Sequence, residues 1–488
     1  MIRPLKLAII GGGPSGFYLA SRLLSLFPQS YADSLRIHIF DRLWAPHGLV
    51  RYGVAPDHPE VKNCTHKFDS AVTDSRLKFF GNVDITSIGD NTSLSLSSLK
   101  KNYTHLVFAT GCTEPNMHPQ LPRDKGIISA LDIVHWYTRH PSNPAPPPLH
   151  SANHVSIIGM GNVSLDVARM LLCPPSLLEK YDVPSHVLDA LRKSQVKHVS
   201  VVGRRGPLEA AFTTKELREM INLPDVALRP LEESVSNIQP RTRQQSRTLE
   251  LLRKGSRAAF GTTLRTWSLD FYRNPLGVTL PNSDSTSYSL SLEHTTVDPI
   301  TRRSGPLLDS GVPVTSTLPT SLIVTAMGFH AESSSTAPYA QWYDLDQKHI
   351  KTLPGGRVST TNLDSDEPKI YASGWAATGA KGVLASTMMD AYSVAEAILE
   401  DWTNLTPSSD PHSEPVSSSP WDAPPPEIMK SLSSPDSEIT TYKDWLAIDA
   451  EEVRRASTEG KERERMDWKE AKRFLYDKGL RVSEEVRS

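Results

Sequence analysis

A glycine-rich turn between an apolar strand and a helical pattern occurs twice, and this feature constrains the fold most. Lys6 to Ile10 is a short apolar run that ends at three consecutive glycines, and a helical pattern follows. Val155 to Ile158 precedes the second turn, and Val163 to Leu172 follows it as a predicted helix. A strand, a glycine turn, a helix and a further strand form a βαβ unit. The sequence therefore predicts an α/β fold with two Rossmann-like dinucleotide-binding domains.

The first turn has the glycine spacing of a dinucleotide site, with Gly11, Gly13 and Gly16 in the pattern G-x-G-x-x-G. These glycines allow a tight turn, a close approach of backbone to pyrophosphate, and close packing of helix on strand. Asp41 ends the next predicted strand, where a carboxylate accepts hydrogen bonds from an unphosphorylated ribose. The pattern predicts a nucleotide site, and the alternative is an ordinary glycine turn that caps a helix.

The second turn differs from the first at the end of its next strand. Gly159 and Gly161 are followed by Ser164, a small residue, in the third position. In place of an acid, Arg204 and Arg205 follow the next strand, and two guanidiniums can clamp a 2′-phosphate by charge-assisted hydrogen bonds. The second site is therefore predicted to bind NADP, unless the two arginines are simply solvated.

Composition excludes several classes of protein. The 488 residues suffice for two or three domains, and the formal net charge of −2 gives no global attraction to nucleic acid or to an anionic membrane. Cys64, Cys112 and Cys173 lie far apart, so they form no disulfide framework, zinc spacing or redox pair. We expect a reducing compartment, no metal and no transmembrane helix. Five residues before the first strand leave no room for a targeting peptide, unless the chain is trimmed.

Further segments have the character of linkers or of cofactor contacts. Pro141 to Pro148 is rich in proline and is typical of a domain connection. Residues 401–440 contain ten serines and eight prolines, which predicts a flexible insertion without a core. Gly374 and Trp375 follow a short apolar run, and a helix that begins near Gly382 could stabilise a reduced flavin through its dipole.

The longest motifs resemble the adrenodoxin reductase family of flavoproteins. The resemblance covers residues 4–400, resumes weakly at 442–452, and is carried by five stretches: Gly48 to Glu60, Gly159 to Ala168, Val202 to Pro207, Ala211 to Met220, and Gly374–Trp375 with Lys381 to Leu384. It implies a discontinuous FAD domain (1–112 and 336–400) and an inserted NADP domain (113–335). A serine- and proline-rich insertion (401–440) and a charged, solvated helical appendage (441–488) would complete the chain.

The resemblance also implies site residues. The FAD contacts would be Ser15, Asp41, Leu49, Ile85, Trp375, Gly382, Val383 and Leu384. The NADPH contacts would be Met160, Gly161, Asn162, Val163, Arg204, Arg205, Glu216 and Gly382. His58 and Asp166 would form a hydrogen-bonded couple that relays protons or tunes the reduced ring. The alternative is that His58 stabilises a turn while Asp166 packs on its helix and bonds backbone.

The implied activity is transfer of a hydride from NADPH to FAD and of single electrons to a [2Fe–2S] ferredoxin of the adrenodoxin type. The densest basic run contains Arg241, Arg243, Arg247, Arg253 and Lys254, and the resemblance places ferredoxin docking at Arg243 and Arg247, four residues apart on one helix face. Mitochondrial location and peripheral association with the inner membrane rest on the resemblance. A flavin monooxygenase and a non-catalytic NADPH-binding interaction module remain as alternatives.

Overall fold

The computed structural model describes residues 4–88, 93–281, 287–298, 300–358, 367–404, 422–434, 437–457 and 460–479. Two six-stranded sheets and the helices packed on them form the core of the molecule. In the described residues, no helix combines the length and apolar composition that crossing a membrane requires.

The first sheet supports the first glycine turn. Its strand order is Lys369–Ala372, His105–Phe108, Leu5–Ile10, Leu35–Asp41, Leu77–Gly81 and Thr440–Thr441. The first five strands are parallel and the last is antiparallel to its neighbour. Every residue of the central strand Leu5–Ile10 is buried, as expected for a parallel sheet covered on both faces.

The second sheet supports the second turn and is parallel throughout. Its strand order is Val226–Leu228, Arg265–Phe271, His198–Gly203, His154–Ile158, Leu322–Thr325 and Ile127–Ser129. All six strands lie, along the chain, between two neighbouring strands of the first sheet, His105–Phe108 and Lys369–Ala372. The predicted fold class, with one discontinuous half and one inserted half, is confirmed. The individual domain boundaries stay a prediction.

Smaller sheets and the helices complete the described structure. One antiparallel sheet contains four strands: Arg273–Thr279, Tyr288–Val297, Ser304–Pro306 and Thr315–Thr320. Four further sheets have two strands each: Asp84–Thr86 with Ser93–Ser95, Glu114–Pro115 with Phe329–His330, Leu308–Asp309 with Val312–Pro313, and Tyr343–Asp344 with His349–Ile350. The α-helices are Pro14–Leu26, Leu49–Tyr52, Thr65–Val72, Leu96–Asn102, Ala130–Tyr137, Asn162–Leu172, Pro175–Leu178, Ser185–Arg192, Thr214–Ile221, Glu233–Ser236, Arg243–Lys254, Trp375–Thr378, Leu384–Thr403, Pro426–Leu432, Tyr442–Ala456 and Trp468–Asp477. The 3₁₀ helices are Gln29–Ser34, Pro59–Cys64, Pro207–Glu209, Ala340–Trp342 and Pro354–Gly356.

The C-terminal segment is helical, as expected, but the expectation that it is solvated is wrong. Tyr442, Trp445 and Ile448 recur at helical spacing, and all three are buried in the core of the first half. The strand Thr440–Thr441 also extends the first sheet. Charged residues interrupt the apolar stripe and obscure it in the composition, and two of them, Glu452 and Arg465, are themselves buried.

The serine- and proline-rich insertion is partly structured. Residues 405–421 lie outside the described residues, so the expectation of flexibility there stays a prediction. Towards the end of the insertion, the helix Pro426–Leu432 buries Ile428, and Ile439 is buried beside the first sheet. The expectation that this whole stretch lacks core residues is therefore wrong at its C-terminal end.

Arg465 joins the C-terminal segment to both halves. Its Nη1 donates hydrogen bonds to the carbonyl oxygens of Arg51, at 2.6 Å, and Thr138, at 2.7 Å. Its Nε donates to Asp182 Oδ2 at 3.2 Å, and Asp182 also accepts from Lys62 Nζ at 2.8 Å. Burial opposes ionisation of Asp182, but Arg465 and Lys62 outweigh it and hold the pKa of its carboxyl well below its usual range. Contacts from helices and loops of both halves therefore converge on one guanidinium.

We expect Arg465→Met to destabilise the fold by about 3–5 kcal/mol, because it leaves the buried Asp182 carboxylate with one cation fewer. Arg454→Met is the matched control, since the Arg454 side chain is 71% exposed and solvent screens its ion pair with Glu451. Urea unfolding of both variants, followed by tryptophan fluorescence, measures the difference. Equal midpoints for the two variants would contradict the assigned role of Arg465.

Candidate active site

The first glycine turn leaves an open space at the start of a helix. Gly11 has φ +114°, and a Cβ there would lie 2.3 Å from the carbonyl oxygen of Ala109, so a larger residue cannot be accommodated. Gly16 packs against the backbone of Gly11. Gly13 is the N-cap of Pro14–Leu26, and a Cβ at Gly13 would meet nothing within 4 Å. The turn is thus closed on the sheet side and open on the helix side.

The second turn repeats this arrangement. Gly159 has φ +133°, and a Cβ there would lie 2.1 Å from the carbonyl oxygen of Ala326. Gly161 is the N-cap of Asn162–Leu172, and a Cβ at Gly161 would meet nothing within 4 Å. No side chain caps either helix. Both helices therefore present unpaired N–H groups and a positive dipole end to open space, which suits a pyrophosphate.

Asp41 is tied to the first turn by its backbone contacts. Its Oδ2 accepts a hydrogen bond from the N–H of Gly12 at 2.6 Å, and its Oδ1 accepts from the N–H of Leu43 at 2.8 Å. Burial raises the pKa of the Asp41 carboxyl to about 6, against the lowering effect of these two bonds. Each carboxylate oxygen has a second lone pair, so Asp41 can still accept from a ribose hydroxyl.

The end of the strand Lys369–Ala372 meets the first turn through hydroxyl contacts. Ser15 and Ser373 hydroxyls lie 2.7 Å apart, and Asp390 Oδ2 accepts hydrogen bonds from Ser373 Oγ at 3.1 Å and from the Gly374 N–H at 2.6 Å. Gly374 approaches so closely that a Cβ there would lie 2.7 Å from Ser15 Cβ. This brings Trp375 to the same edge of the sheet as the glycine turn.

The remaining residues expected at FAD lie around this edge. The Trp375 indole donates to the carbonyl oxygen of Lys381 at 3.0 Å, which fixes the segment containing Gly382. Val383 is exposed and is followed directly by the helix Leu384–Thr403. Gly48, which precedes Leu49, packs against Gly13, whereas Ile85 is buried in a short strand beyond Asp41.

The residues expected at NADPH surround the second turn. Met160 packs against Gly203, Val163 lies in the first helical turn, and Asn162 Oδ1 accepts a hydrogen bond from the N–H of Thr213 at 2.8 Å. Ser164 is fully buried, in keeping with its place as the third small residue.

Arg204 and Arg205 follow the strand His198–Gly203, and both are exposed. Neither side chain makes a hydrogen bond or an ion pair with a residue that the structure describes. Both guanidiniums therefore retain their full hydrogen-bonding capacity for an anionic ligand.

His58 and Asp166 lie in one cluster, but they are not hydrogen-bonded to each other. Their nearest atoms, Nε2 and Oδ1, are 4.0 Å apart, and the expectation of a direct couple is wrong in this structure. Arg169 Nη2 lies between them, 2.7 Å from His58 Nε2 and 2.9 Å from Asp166 Oδ1. The side chains meet because the loop that carries His58 faces the helix of the second turn.

Carboxylates surround Arg169 and His58 and affect the protonation of the imidazole. Glu216 and Glu219 lie 3.6 and 3.1 Å from His58 Nε2. Burial lowers the pKa of His58, but hydrogen bonds to these two carboxylates outweigh it and raise the pKa to about 10. Burial raises the pKa of Asp166 well above its usual range. The carboxylates therefore favour a proton on His58, whereas Arg169 Nη2 faces Nε2 as a hydrogen-bond donor and favours the neutral ring. Asp166, beside them, is an acid that protonates readily.

His58, Glu216 and Glu219 could also form a metal site by distance, since their ligand atoms lie within 4.8 Å of one another. However, Arg169 Nη1 lies 3.2 Å from Glu216 and 3.3 Å from Glu219. A guanidinium thus already neutralises the carboxylates that a cation would need.

Sequence reasoning missed Asp57, Arg169 and Glu219. A signal existed, because Asp166 and Arg169, and also Glu216 and Glu219, are three residues apart and share a helix face. Spacing alone could not show that both faces meet the loop at His58.

From Arg243 onward the basic run lies on a helix, Arg243–Lys254, so the condition for a shared face of Arg243 and Arg247 is met. Arg243 and Arg247 are exposed and lie one turn apart, whereas Leu249 and Leu252 bury the opposite face. This surface is compatible with an acidic partner.

Comparison with known proteins identifies the family. No protein-family model matches the chain. The mitochondrial NADPH:adrenodoxin oxidoreductase of Mus musculus is 34% identical over 490 residues, which cover 96% of this chain and 91% of that protein. The chain belongs to the NADPH:adrenodoxin oxidoreductase family. The Homo sapiens member is also 34% identical, over 94% of this chain and 90% of its own.

A bacterial relative has solved structures. The NADPH-ferredoxin reductase FprA of Mycobacterium tuberculosis is 29% identical over 95% of this chain and 97% of its own. A FprA structure superposes with a TM-score of 0.80 at 28% identity, covering 96% of this chain and 99% of that one. A FprA structure in complex with NADPH has a TM-score of 0.79. The chain therefore shares the fold of this relative across both halves.

The free guanidiniums of Arg204 and Arg205 give a prediction about nucleotide choice. Each charge-assisted contact to a 2′-phosphate contributes roughly 1.5–3 kcal/mol. Changing both residues to Ala should therefore lower kcat/KM for NADPH by orders of magnitude and leave that for NADH nearly unchanged. Steady-state kinetics with both nucleotides measures this, and an equal loss for the two would show a structural role.

Proposed function

We propose that this protein takes a hydride from NADPH onto bound FAD and delivers single electrons to a ferredoxin. The proposal rests on the pair of open helix N-termini, one in each half, which follow parallel strands of the two sheets. One lies next to Asp41 and the other next to Arg204 and Arg205. The similarity to proteins named NADPH:adrenodoxin oxidoreductase and NADPH-ferredoxin reductase supports it. FAD supplies the conversion between a two-electron donor and a one-electron acceptor.

The FAD site is proposed at the first turn. The unpaired N–H groups beyond Gly13 would bind the pyrophosphate, and Asp41 would accept from the ribose. The segment from Trp375 to Leu384 would border the flavin ring, with Leu49 and Ile85 beside the nucleotide. The helix Leu384–Thr403 directs its positive dipole end towards this region, where it would stabilise negative charge on a reduced ring.

The NADPH site is proposed at the second turn. Residues Met160 to Val163 would contact the pyrophosphate, and Arg204 and Arg205 the 2′-phosphate. The side chains of His58, Asp166 and Glu216 cluster where the His58 loop of the first half meets the helices Asn162–Leu172 and Thr214–Ile221 of the second. We propose that this charged cluster borders the reacting rings, where it would hold a proton on His58 and limit the entry of water.

The experiment that tests the function is spectroscopic. Purified protein should carry, or regain on addition of FAD, a flavin absorption spectrum that NADPH bleaches under anaerobic conditions. Addition of an oxidised adrenodoxin-type [2Fe–2S] ferredoxin should restore the oxidised flavin spectrum. A protein that binds NADPH but no flavin would instead be a non-catalytic interaction module. NADPH oxidation coupled to hydroxylation of an organic substrate would indicate a monooxygenase.

We further propose that the [2Fe–2S] ferredoxin docks on the exposed basic face of Arg243–Lys254. Arg243→Glu combined with Arg247→Glu should lower the rate of ferredoxin reduction, and added salt should lower the wild-type rate by screening. NADPH reduction of a small artificial acceptor should not change, because that step does not use the face. Ferredoxin turnover that ignores both the substitutions and the salt would exclude this face.

Several relatives are named as mitochondrial and one is bacterial. We infer a mitochondrial location with peripheral association at the inner membrane, and immunoblotting of fractionated mitochondria before and after a salt wash would test it.

A further inference from the structure

Arg169 connects the two halves of the molecule. It lies on the helix Asn162–Leu172, which begins at the second glycine turn, and its side chain is 3% exposed. Its Nε and Nη2 bind the two carboxylate oxygens of Asp57, at 2.7 and 3.0 Å. Asp57 belongs to the loop of the first half that also carries His58. The contact is therefore a bidentate clamp between segments that follow different glycine turns.

The same guanidinium also organises the helices of the second half. Nη1 contacts Glu216 and Glu219, at 3.2 and 3.3 Å, on the helix Thr214–Ile221. Nη2 contacts Asp166 one turn earlier on its own helix. Its hydrogen bonds run to Asp57, Glu216 and His58 Nε2, whereas Glu219 and Asp166 lie within ion-pair distance. A planar guanidinium with five N–H donors suits this arrangement, whereas the ammonium of a lysine is a point charge on a flexible stem.

The charges around Arg169 give it a second effect. Asp57, Asp166, Glu216 and Glu219 contact it, and Glu60, which pairs with Lys215, faces the other nitrogen of His58. Without Arg169, Asp57, Asp166 and Glu216 would lose the guanidinium that neutralises them, and repulsion between these acids would push the His58 loop and the Thr214–Ile221 helix apart. Arg169 thus determines where His58 lies relative to Asp166.

We propose that Arg169 is a positioning residue for NADPH oxidation, which sets the alignment of the nicotinamide with the flavin by clamping the His58 loop to the nucleotide helix. This inference rests on the proposed function, in which the two halves hold the two cofactors separately. Hydride transfer requires reacting atoms at about 3–3.5 Å, and an error of about 1 Å can cost a hundredfold in rate. The contact between the two halves therefore determines how well the nicotinamide and the flavin are aligned.

The test uses the FAD-loaded protein with Arg169→Gln and Arg169→Lys. Stopped-flow measurement at saturating NADPH should show flavin reduction slowed by about a hundredfold in R169Q, with R169K between it and wild type. The dissociation constant of NADP⁺, measured by calorimetry, should change by less than about threefold, because Arg204 and Arg205 are intact. Slower flavin reduction at saturating NADPH, without a matching rise in the dissociation constant of NADP⁺, indicates that the two rings are no longer aligned.

A readout that does not depend on turnover is the flavin absorption spectrum. Binding of NADP⁺ to the oxidised wild-type protein should perturb this spectrum through contact of the two rings, and R169Q should bind NADP⁺ with a reduced perturbation. Arg192→Gln is the matched control, since Arg192 also contacts two acids, Glu179 and Asp189, but on the surface. It should behave as wild type in both assays.

Each result decides the inference. If R169Q binds flavin but is reduced at the wild-type rate, or is slowed only through weaker NADP⁺ binding, Arg169 does not position the cofactors. If R169Q fails to retain flavin, the Asp57→Asn variant is measured in its place. This variant leaves Arg169 and His58 unchanged and weakens only the clamp between Arg169 and Asp57. A wild-type Asp57→Asn rate would then overturn the inference. Failure of the proposed function itself is distinguishable, because NADPH would then leave the wild-type flavin oxidised.

Discussion

Buried ion pairs between segments that are distant in sequence hold this molecule together. Arg169 binds Asp57, Arg465 binds Asp182, and Arg51 binds Glu452, and in each pair the two residues belong to different parts of the chain. A buried charge without its partner costs several kcal/mol, so each pair strongly disfavours arrangements in which the segments separate. The relative placement of the two sheets, and hence of the two glycine turns, depends on these contacts.

This construction explains why the C-terminal segment is part of the core. Glu452 receives two hydrogen bonds from Arg51, at 3.0 and 2.6 Å, and is fully buried. Arg51 is itself surrounded by the rings of Trp44, Tyr52 and Trp445. A guanidinium buried among aromatic rings requires a carboxylate as its counter-ion, and the helix Tyr442–Ala456 supplies Glu452. The segment therefore stabilises the loop that leads to Asp57 and His58.

The two halves differ in how firmly the residue that would contact the ribose end of the nucleotide is held by the protein. At the first turn, Asp41 is buried and held by two backbone N–H groups. At the second, Arg204 and Arg205 extend into solvent without a protein partner among the described residues. An uncharged ribose hydroxyl suits a carboxylate that is already held in place, as Asp41 is. A phosphate can draw the solvent-exposed guanidiniums of Arg204 and Arg205 towards itself. The proposed assignment of FAD to the first half and NADPH to the second follows this difference.

The sequence by itself determined the glycine turns, the strands before them, the acid or arginines after them, and the helix at Arg243. These features are local, because a turn with positive φ, a buried apolar strand and a helical repeat each depend on a few neighbouring residues. The tertiary structure alone decided that Arg169 separates His58 from Asp166, that the C-terminal helices are buried, and that Arg465 touches both halves. These contacts join residues more than a hundred positions apart, and charge composition gives no information about which acid a buried arginine will meet.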